Sequence, residues 1–184
     1  MSLNDELTAF YAANHFGTVV GARPLTVPVY TGCMLVPLPN IETRRRFLKY
    51  HDLHHLVTGY SVGRIGEGEV SAWELGTGSA FVSPTLGVMN LIALSTGLVL
   101  EPKRMWRAFR RGCRSRNAYP EAVRSDIDRG RWIDIEGLRK DILEIKPSIG
   151  RAPLRAVEFA VYSALAMLIH AAIAIPAVIA RFVT

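Results

Sequence analysis

The sequence predicts an all-α fold that forms a single compact domain. Apolar residues recur at helical spacing through most of the chain, and two stretches without charged side chains are longer than a strand usually is. Prolines and glycines mark the ends of the individual helices. At 184 residues the chain is long enough to bury a sizeable core.

The N-terminal region is predicted to contain one helix followed by an irregular segment. Residues 2–16 have helical spacing, with Asn4 as the predicted cap and with Asp5 and Glu6 at the positively polarised end. The stretch from Thr18 to Ile41 contains four prolines, which exclude a continuous helix. We interpret this stretch as a lid or strap and not as a sheet.

The next predicted helix begins after Asn40, which would cap it, and ends near Gly59. It carries the sequence HDLHH. At 100° per residue, His51 and His55 lie about 40° apart, and Asp52 lies about 60° beyond His55. One face of the helix therefore offers two imidazoles and a carboxylate.

A second carboxylate, Glu67, follows His55 after eleven residues and begins another predicted helix. Three glycines in the intervening segment would let the chain turn back toward the histidines. A divalent metal such as zinc or iron binds imidazole nitrogen and carboxylate oxygen. The predicted metal ligands are His51, Asp52, His55 and Glu67.

Two nearby residues, His54 and Glu74, are the candidates for proton transfer or for orienting the metal ligands. An adjacent His-Asp pair is also a common polar contact, so spacing alone leaves the metal site open. HD-type phosphohydrolases use adjacent His and Asp as well, but they need further ligands from distant helices. Only His170 follows the motif as a further histidine, which disfavours that class.

An uncharged segment and a basic helix follow. The twenty-six residues 75–100 have no charged side chain and contain several small residues, which indicates one or two buried helices that pack closely or leave room for a ligand.

The next predicted helix, 102–116, places six cations within an arc of about 120°. They are Lys103, Arg104, Arg107, Arg110, Arg111 and Arg114. This face is either a solvated surface or a surface that binds anionic lipid or an acidic ligand.

Two short helices are predicted at 120–129 and 135–144, and an apolar tail follows. The twenty-two residues 159–180 carry no fixed charge and as a helix are about 33 Å long, enough to cross a hydrocarbon core of about 30 Å. The alanines and Pro176 also suit a helix that covers a lipid pocket or forms a homodimer. We expect a helical metal- and lipid-binding domain over 1–150, and over 151–184 an apolar helix that is a membrane anchor or a pocket cover.

The composition restricts the partners. A net charge of +6 and a pI near 9.7 favour anionic partners such as phospholipid or a small acidic molecule. We expect no nucleic-acid partner, because no helix-turn-helix, stacking-sheet or zinc-finger pattern accompanies the charge. Cys33 and Cys113 lie too far apart in the sequence to suggest a paired motif. Acidic residues near Met1 argue against a signal peptide, so we expect a cytoplasmic protein at the cytoplasmic face of a membrane.

Three segments together resemble a known family. The sequence HDLHH is followed by eleven residues and then by Glu67. This arrangement resembles the motif of the coenzyme Q (ubiquinone) biosynthesis protein 4 family, in which H-D-x-x-H is followed by eleven residues and a glutamate. The pattern V-x-x-W-E-L-x-T-G from Val70 and the sequence RWIDIEGLRKDILEI ending at Ile145 also resemble that family. The resemblance spans about residues 40–147. Ser61 stands where the family usually has proline, and the apolar tail extends beyond the family pattern.

The resemblance implies a helical fold, a divalent metal at the four predicted ligands, and a membrane-associated isoprenoid quinone precursor as ligand. Members of the family are implicated in oxidative removal of a ring carboxyl carbon, and some are viewed as organisers of other biosynthetic enzymes. The leading hypothesis is a metal-dependent, membrane-associated enzyme that acts on a lipophilic aromatic acid or a prenylated quinone precursor. A non-catalytic lipid-binding scaffold, and a tailoring enzyme or cyclase of a secondary polyketide or isoprenoid pathway, remain alternatives.

Overall fold

The computed structural model describes residues 1–14, 25–31, 34–148 and 150–183, with side chains up to residue 176 in the last helix. Cys33 and parts of the first predicted helix and of the predicted strap lie outside these ranges. Within them the chain forms nine helices and one two-stranded sheet, so the all-α prediction is confirmed. The helices are α1 (Leu3–Ala13), α2 (Glu42–Thr58), α3 (Arg64–Thr77), α4 (Ser79–Val82), α5 (Pro84–Leu100), α6 (Pro102–Cys113), α7 (Glu121–Asp128), α8 (Ile135–Ile142) and α9 (Ala152–Val183). The strands are β1 (Thr26–Thr31) and β2 (Met34–Pro39).

The proline-containing segment forms a hairpin of β1 and β2, so the prediction that it is not a sheet was wrong. Pro28 lies opposite Pro37 in the antiparallel register, and the Asn40 N–H donates to the Leu25 carbonyl at 2.8 Å. Alternate residues of an antiparallel pair direct their N–H groups away from the partner strand. Pro28, Pro37 and Pro39 all occupy such positions. The prolines therefore exclude a helix, as expected, without removing a hydrogen bond between the strands.

Two predicted helix caps were also wrong. Ser2, not Asn4, caps α1: its hydroxyl accepts the Asp5 N–H at 3.2 Å, and the Asp5 carboxylate accepts the Ser2 N–H at 3.0 Å. Ile41 is the cap of α2 and makes no side-chain capping bond. The predicted end of α2 is confirmed, because Gly59 takes the left-handed conformation with φ 77°.

The helix that carries Glu67 and Glu74, α3, lies at the centre of the fold. Its residues Val70, Trp73 and Leu75 are fully buried. A Cβ atom on Gly112 of α6 would overlap the Trp73 carbonyl oxygen. The two helices therefore pack backbone to backbone, which fixes the position of α3.

The six cations of α6 do not form one free surface. Arg104 makes a bidentate ion pair with Glu69, at 2.9 and 2.7 Å. Arg111 donates to the Thr58 carbonyl and pairs with Glu144, which also accepts from Arg114. Lys103, Arg107 and Arg110 are exposed. Half of the predicted basic face therefore joins α6 to neighbouring elements, and the other half faces outward.

The C-terminal helix α9 packs on the domain along one side and exposes the other. Phe159 lies 5.2 Å from the ring of Trp106, and Ala166 is fully buried. The segment Ala152–Pro176 is long and apolar enough to cross a membrane, and only 6% of its most apolar part is buried. The helix could therefore associate with a membrane.

Candidate metal centre

Three of the predicted ligands lie together between α2 and α3. His51 and His55 are one turn apart on α2, and Glu67 lies in the first turn of α3. One donor atom from each lies within 4.8 Å of the other two. His51 Nε2 is 3.3 Å from Glu67 Oε2, and His55 Nε2 is 3.4 Å from Glu67 Oε1. These three residues could hold a metal ion.

Glycine residues bring Glu67 back toward the histidines, as the sequence predicts. The left-handed conformation of Gly59 ends α2 and reverses the chain. At the start of α3, a Cβ atom on Gly66 would overlap the Ser61 carbonyl oxygen. The close return of the chain therefore requires glycine beside Glu67.

The outer hydrogen bonds of the two histidines determine which ring nitrogen faces Glu67. His51 Nδ1–H donates to Glu74 Oε1 at 2.9 Å, and His55 Nδ1–H donates to the Tyr60 carbonyl at 3.0 Å. Each Nε2 atom therefore faces the Glu67 carboxylate. The buried Nε2 of His55 has no hydrogen-bond partner within the described part of the chain.

This arrangement fits a metal ion. Two neutral imidazole nitrogens and a carboxylate are all acceptors, so a proton or a metal cation must lie between them. The two imidazoles approach the Glu67 carboxylate at 3.3 and 3.4 Å, one at each oxygen, and one donor atom from each residue lies within 4.8 Å of the others. Metal-binding histidines also usually donate their outer N–H to a carboxylate or a carbonyl, as His51 and His55 do.

The electrostatics keep both carboxylates ionised. Burial alone would raise the pKa of Glu67, but the neighbouring imidazoles of His51 and His55 lower it to about 2. Burial likewise opposes the charge of Glu74, yet His51 and His54 hold its pKa far below the ordinary value. Burial disfavours a charge on His51, but Glu74 and Glu67 raise its pKa well above the ordinary value. Both carboxylates are therefore negative at neutral pH, and because the raised pKa of His51 favours its protonated form, a metal ion would replace the proton on its Nε2.

Asp52, the fourth predicted ligand, lies outside the group of three. Its buried carboxylate accepts the Tyr11 hydroxyl hydrogen at 3.0 Å and lines the adjoining cavity. Burial raises the pKa of Asp52, while the charge of His51 and the Tyr11 hydrogen bond oppose that rise. Its role as a ligand stays a prediction.

His54 and Glu74 form a buried network behind His51. Glu74 Oε1 accepts hydrogen bonds from His51 Nδ1, from His54 Nδ1 at 2.7 Å and from the Tyr119 hydroxyl at 2.6 Å. The Ala118 N–H donates to His54 Nε2 at 2.8 Å, so the hydrogen of His54 is on Nδ1. Burial lowers the pKa of His54, which keeps the ring neutral. Among the described residues, neither His54 nor Glu74 lines the cavity, and Glu74 orients His51.

A cavity of about 1100 Å³ adjoins the metal centre. His51, Asp52 and Glu67 line one side of it. Most of the remaining wall is apolar and comes from the hairpin, α2 and α5, including Val27, Val29, Leu38, Phe47, Leu48, Leu86, Met89 and Ile92. The uncharged segment 75–100 therefore supplies both buried core and one wall of a ligand-sized cavity.

Sequence reasoning missed three residues of the site. Arg44 lines the cavity and lies seven residues before His51, so helical spacing could have placed both on one face. Burial lowers the pKa of Arg44, although Asp52 opposes this effect. Tyr11 and Tyr119 come from distant elements, and no local pattern signals their contacts with Asp52 and Glu74.

The chain matches no family model, no curated protein and no solved structure.

Proposed function

We propose that this protein is a metal-dependent, membrane-associated protein that acts on a lipophilic aromatic acid or a prenylated quinone precursor. The observation that carries the proposal is the position of His51 and Glu67 in the wall of a large, mostly apolar cavity. A ligand bound there would place a polar head near the metal centre and an apolar body against the hairpin and α5. The resemblance of HDLHH and Glu67 to the ubiquinone-biosynthesis motif supports the same class of ligand.

The metal is zinc or iron, held by His51, His55 and Glu67, with Asp52 as the predicted fourth ligand. Two histidines and one glutamate suit a catalytic zinc ion, and two histidines with one carboxylate also suit non-haem iron. Such an ion supplies Lewis-acid chemistry, which polarises a carboxylate or phenolate oxygen.

The residues of the chain bind and orient the ligand. The Glu67 side chain is 38% exposed and lines the cavity, so the centre is accessible from that side. Arg44 is half-buried in the same wall and provides a cation for an acidic head. The cavity volume of about 1100 Å³ is larger than the volume of a single aromatic ring, so the cavity also has room for an apolar tail.

The apolar C-terminal helix supports a location at a membrane. Its exposed apolar side favours contact with a bilayer, and we propose that the contact is at the cytoplasmic face. The same helix could join two copies in a homodimer or contact other biosynthetic enzymes.

The direct test measures metal and lipid in the purified full-length protein. We expect bound zinc or iron by elemental analysis, and an acidic or phenolic lipid by mass spectrometry. Glu67→Gln should lose the metal, because a neutral amide is a poor ligand, while the exposed Glu121→Gln should retain it. A wild-type protein of full stability that binds no divalent metal would contradict the proposal.

A second candidate is the non-catalytic lipid-binding scaffold. It is favoured by the buried hydrogen-bond network of His54, Glu74 and Tyr119, which connects α2 to α3. A network of this kind next to the metal centre suits a metal ion that stabilises the fold. Turnover separates the two candidates. Recovery of the bound lipid without chemical change, together with unfolding of the Glu67→Gln variant, would favour the scaffold.

A further inference from the structure

We propose that the cavity takes up its ligand directly from a lipid bilayer, through a mouth rimmed by Tyr30, Ile41 and Val88. The proposed partner of the surface around this mouth is a bilayer that contains anionic phospholipid. The inference rests on the proposed function in one respect, namely that the cavity holds a lipophilic ligand.

The mouth is identified by residues that both line the cavity and reach the surface. Tyr30, Ile41 and Val88 line the cavity and are 38%, 39% and 48% exposed. Pro28 and Pro39 of the hairpin share both properties. The exposed rim is therefore largely apolar, which disfavours contact with water and favours contact with acyl chains.

Further apolar side chains are exposed on the short helix that precedes α5. Phe81 is 84% exposed and Val82 is 40% exposed, both on α4, which packs against α5. The helix α5 carries Val88, one residue of the rim. The exposed phenylalanine and valine on α4 add apolar surface that favours contact with a membrane interface.

The hairpin at the mouth also lies against the apolar C-terminal helix. Thr31 Oγ1 lies 3.1 Å from His170 Nδ1 of α9, and Thr96 Oγ1 of α5 donates to the Tyr30 carbonyl at 2.9 Å. The exposed apolar residues of α9 run along most of its length: Leu154, Val157, Val161, Leu165, Leu168 and Ile175. The hairpin therefore contacts α9 through His170, which lies on the face of the helix opposite these exposed residues.

A bilayer fits this surface better than a second copy of the chain. Two paired helices usually bury a narrow apolar seam that charged residues flank. In α9, residues 159–176 contain no fixed charge, and the charged Arg155 and Glu158 in the preceding turn pair with each other. Cations lie at the edges instead: Arg64 lines the cavity with its guanidinium 4.6 Å from the Tyr30 ring centre, and Arg151 precedes α9. These cations suit lipid phosphate groups.

The first test measures contact between the mouth and acyl chains. Full-length Val88→Trp protein is mixed with vesicles of phosphatidylcholine and phosphatidylglycerol whose acyl chains carry bromine, which quenches tryptophan emission on contact. The control is Ile133→Trp, because Ile133 is 81% exposed but does not line the cavity. We expect loss of the added emission for Val88→Trp and no loss for Ile133→Trp. If the emission of the added tryptophan in Val88→Trp stays unquenched while the protein is bound to vesicles, the proposal is overturned.

The second test measures uptake of cis-parinaric acid, a fluorescent fatty acid, from the same vesicles. Val88→Asp should slow the uptake, because a charged rim opposes passage from the bilayer. Val99→Asp is the matched control: Val99 lies on the same helix and is 45% exposed, but it does not line the cavity. Equal uptake rates for the two variants would overturn the proposal.

The outcomes also separate this inference from the proposed function. Protein that binds cis-parinaric acid from detergent micelles but not from vesicles would overturn the bilayer route and leave the proposed ligand class intact. Protein that binds none from either source would overturn both. A soluble dimer that does not bind vesicles would show that a second copy covers α9, and would also overturn the bilayer route.

Discussion

Glu74 Oε1 accepts the Nδ1–H of His51 at 2.9 Å, so the buried carboxylate of α3 sets the orientation of a metal-ligand candidate on α2. The same oxygen accepts hydrogen bonds from His54 and Tyr119. Three donors therefore hold Glu74 in place, and Glu74 in turn holds the His51 ring. The geometry of the candidate metal centre depends on this buried carboxylate as much as on its ligands.

The first prediction concerns Glu74→Gln. The amide weakens the hydrogen bond to His51 and removes a negative charge behind the site, so metal affinity should fall by roughly 10- to 100-fold. Competition with a chelator measures the change. Tyr119→Phe removes one donor and leaves the carboxylate, so its effect should be smaller. An unchanged affinity in Glu74→Gln would mean that the orientation of His51 does not depend on Glu74.

The second prediction tests Asp52 as the fourth ligand. Asp52→Asn should weaken metal binding, because an amide oxygen is a poorer ligand than a carboxylate. Tyr11→Phe should not weaken it, since this variant removes only the hydroxyl that donates to Asp52. Chelator competition on both variants gives the comparison. Equal affinity of Asp52→Asn and wild type would leave three protein ligands.

The third prediction concerns the packing of α3 on α6. Gly112→Ala should destabilise the fold by roughly 1–3 kcal/mol, because the methyl group meets the rigid Trp73 backbone. Gly137→Ala in α8 is the control: its added Cβ would meet the side chains of Asp134 at 3.3 Å and Trp132 at 3.6 Å, and no backbone atom is among these contacts. Thermal unfolding of both variants measures the difference. A Gly112→Ala protein as stable as the control would contradict the close approach of the two helices.

The fourth prediction separates the two kinds of cation on α6. Replacing exposed Lys103 and Arg107 with Gln should weaken binding to anionic vesicles by about fivefold per cation at low salt, without change in the thermal midpoint. Arg104→Gln should lower the thermal midpoint instead, because it leaves the buried Glu69 carboxylate without its ion pair. Vesicle sedimentation measures the binding of both variants, and thermal unfolding measures their stability. Equal vesicle binding by the wild type and the double variant would mean that the exposed cations of α6 do not contact the membrane.

The sequence predicted the parts of the site that depend on local geometry. The spacing of His51 and His55 placed both imidazoles on one face of a helix, and that face exists because α2 is continuous through both residues. The turn at Gly59 and the position of Glu67 at the start of a helix were equally local features. Each follows from backbone conformation within a few residues.

The features that sequence reasoning missed depend on contacts between distant residues. Periodicity placed Arg104 and Arg111 on one face of α6, but it could not show that Glu69 and Thr58 lie opposite them. The prolines excluded a helix before α2, but whether extended segments pair depends on register, which the local pattern does not fix. Tyr119 contacts Glu74 although the two residues are forty-five positions apart in the sequence. Helical periodicity relates only residues within one helix, so it could not predict this contact.

The prolines of the hairpin have one more consequence, which concerns aggregation. On the outer edge of β2 the outward N–H positions are Leu35, Pro37 and Pro39, and only Leu35 has a hydrogen to donate. On β1, the outward carbonyl of Tyr30 already accepts from Thr96. An edge with so few N–H donors is a poor template for an additional strand. We therefore expect the hairpin to resist edge-to-edge association in a folded protein that has much exposed apolar surface.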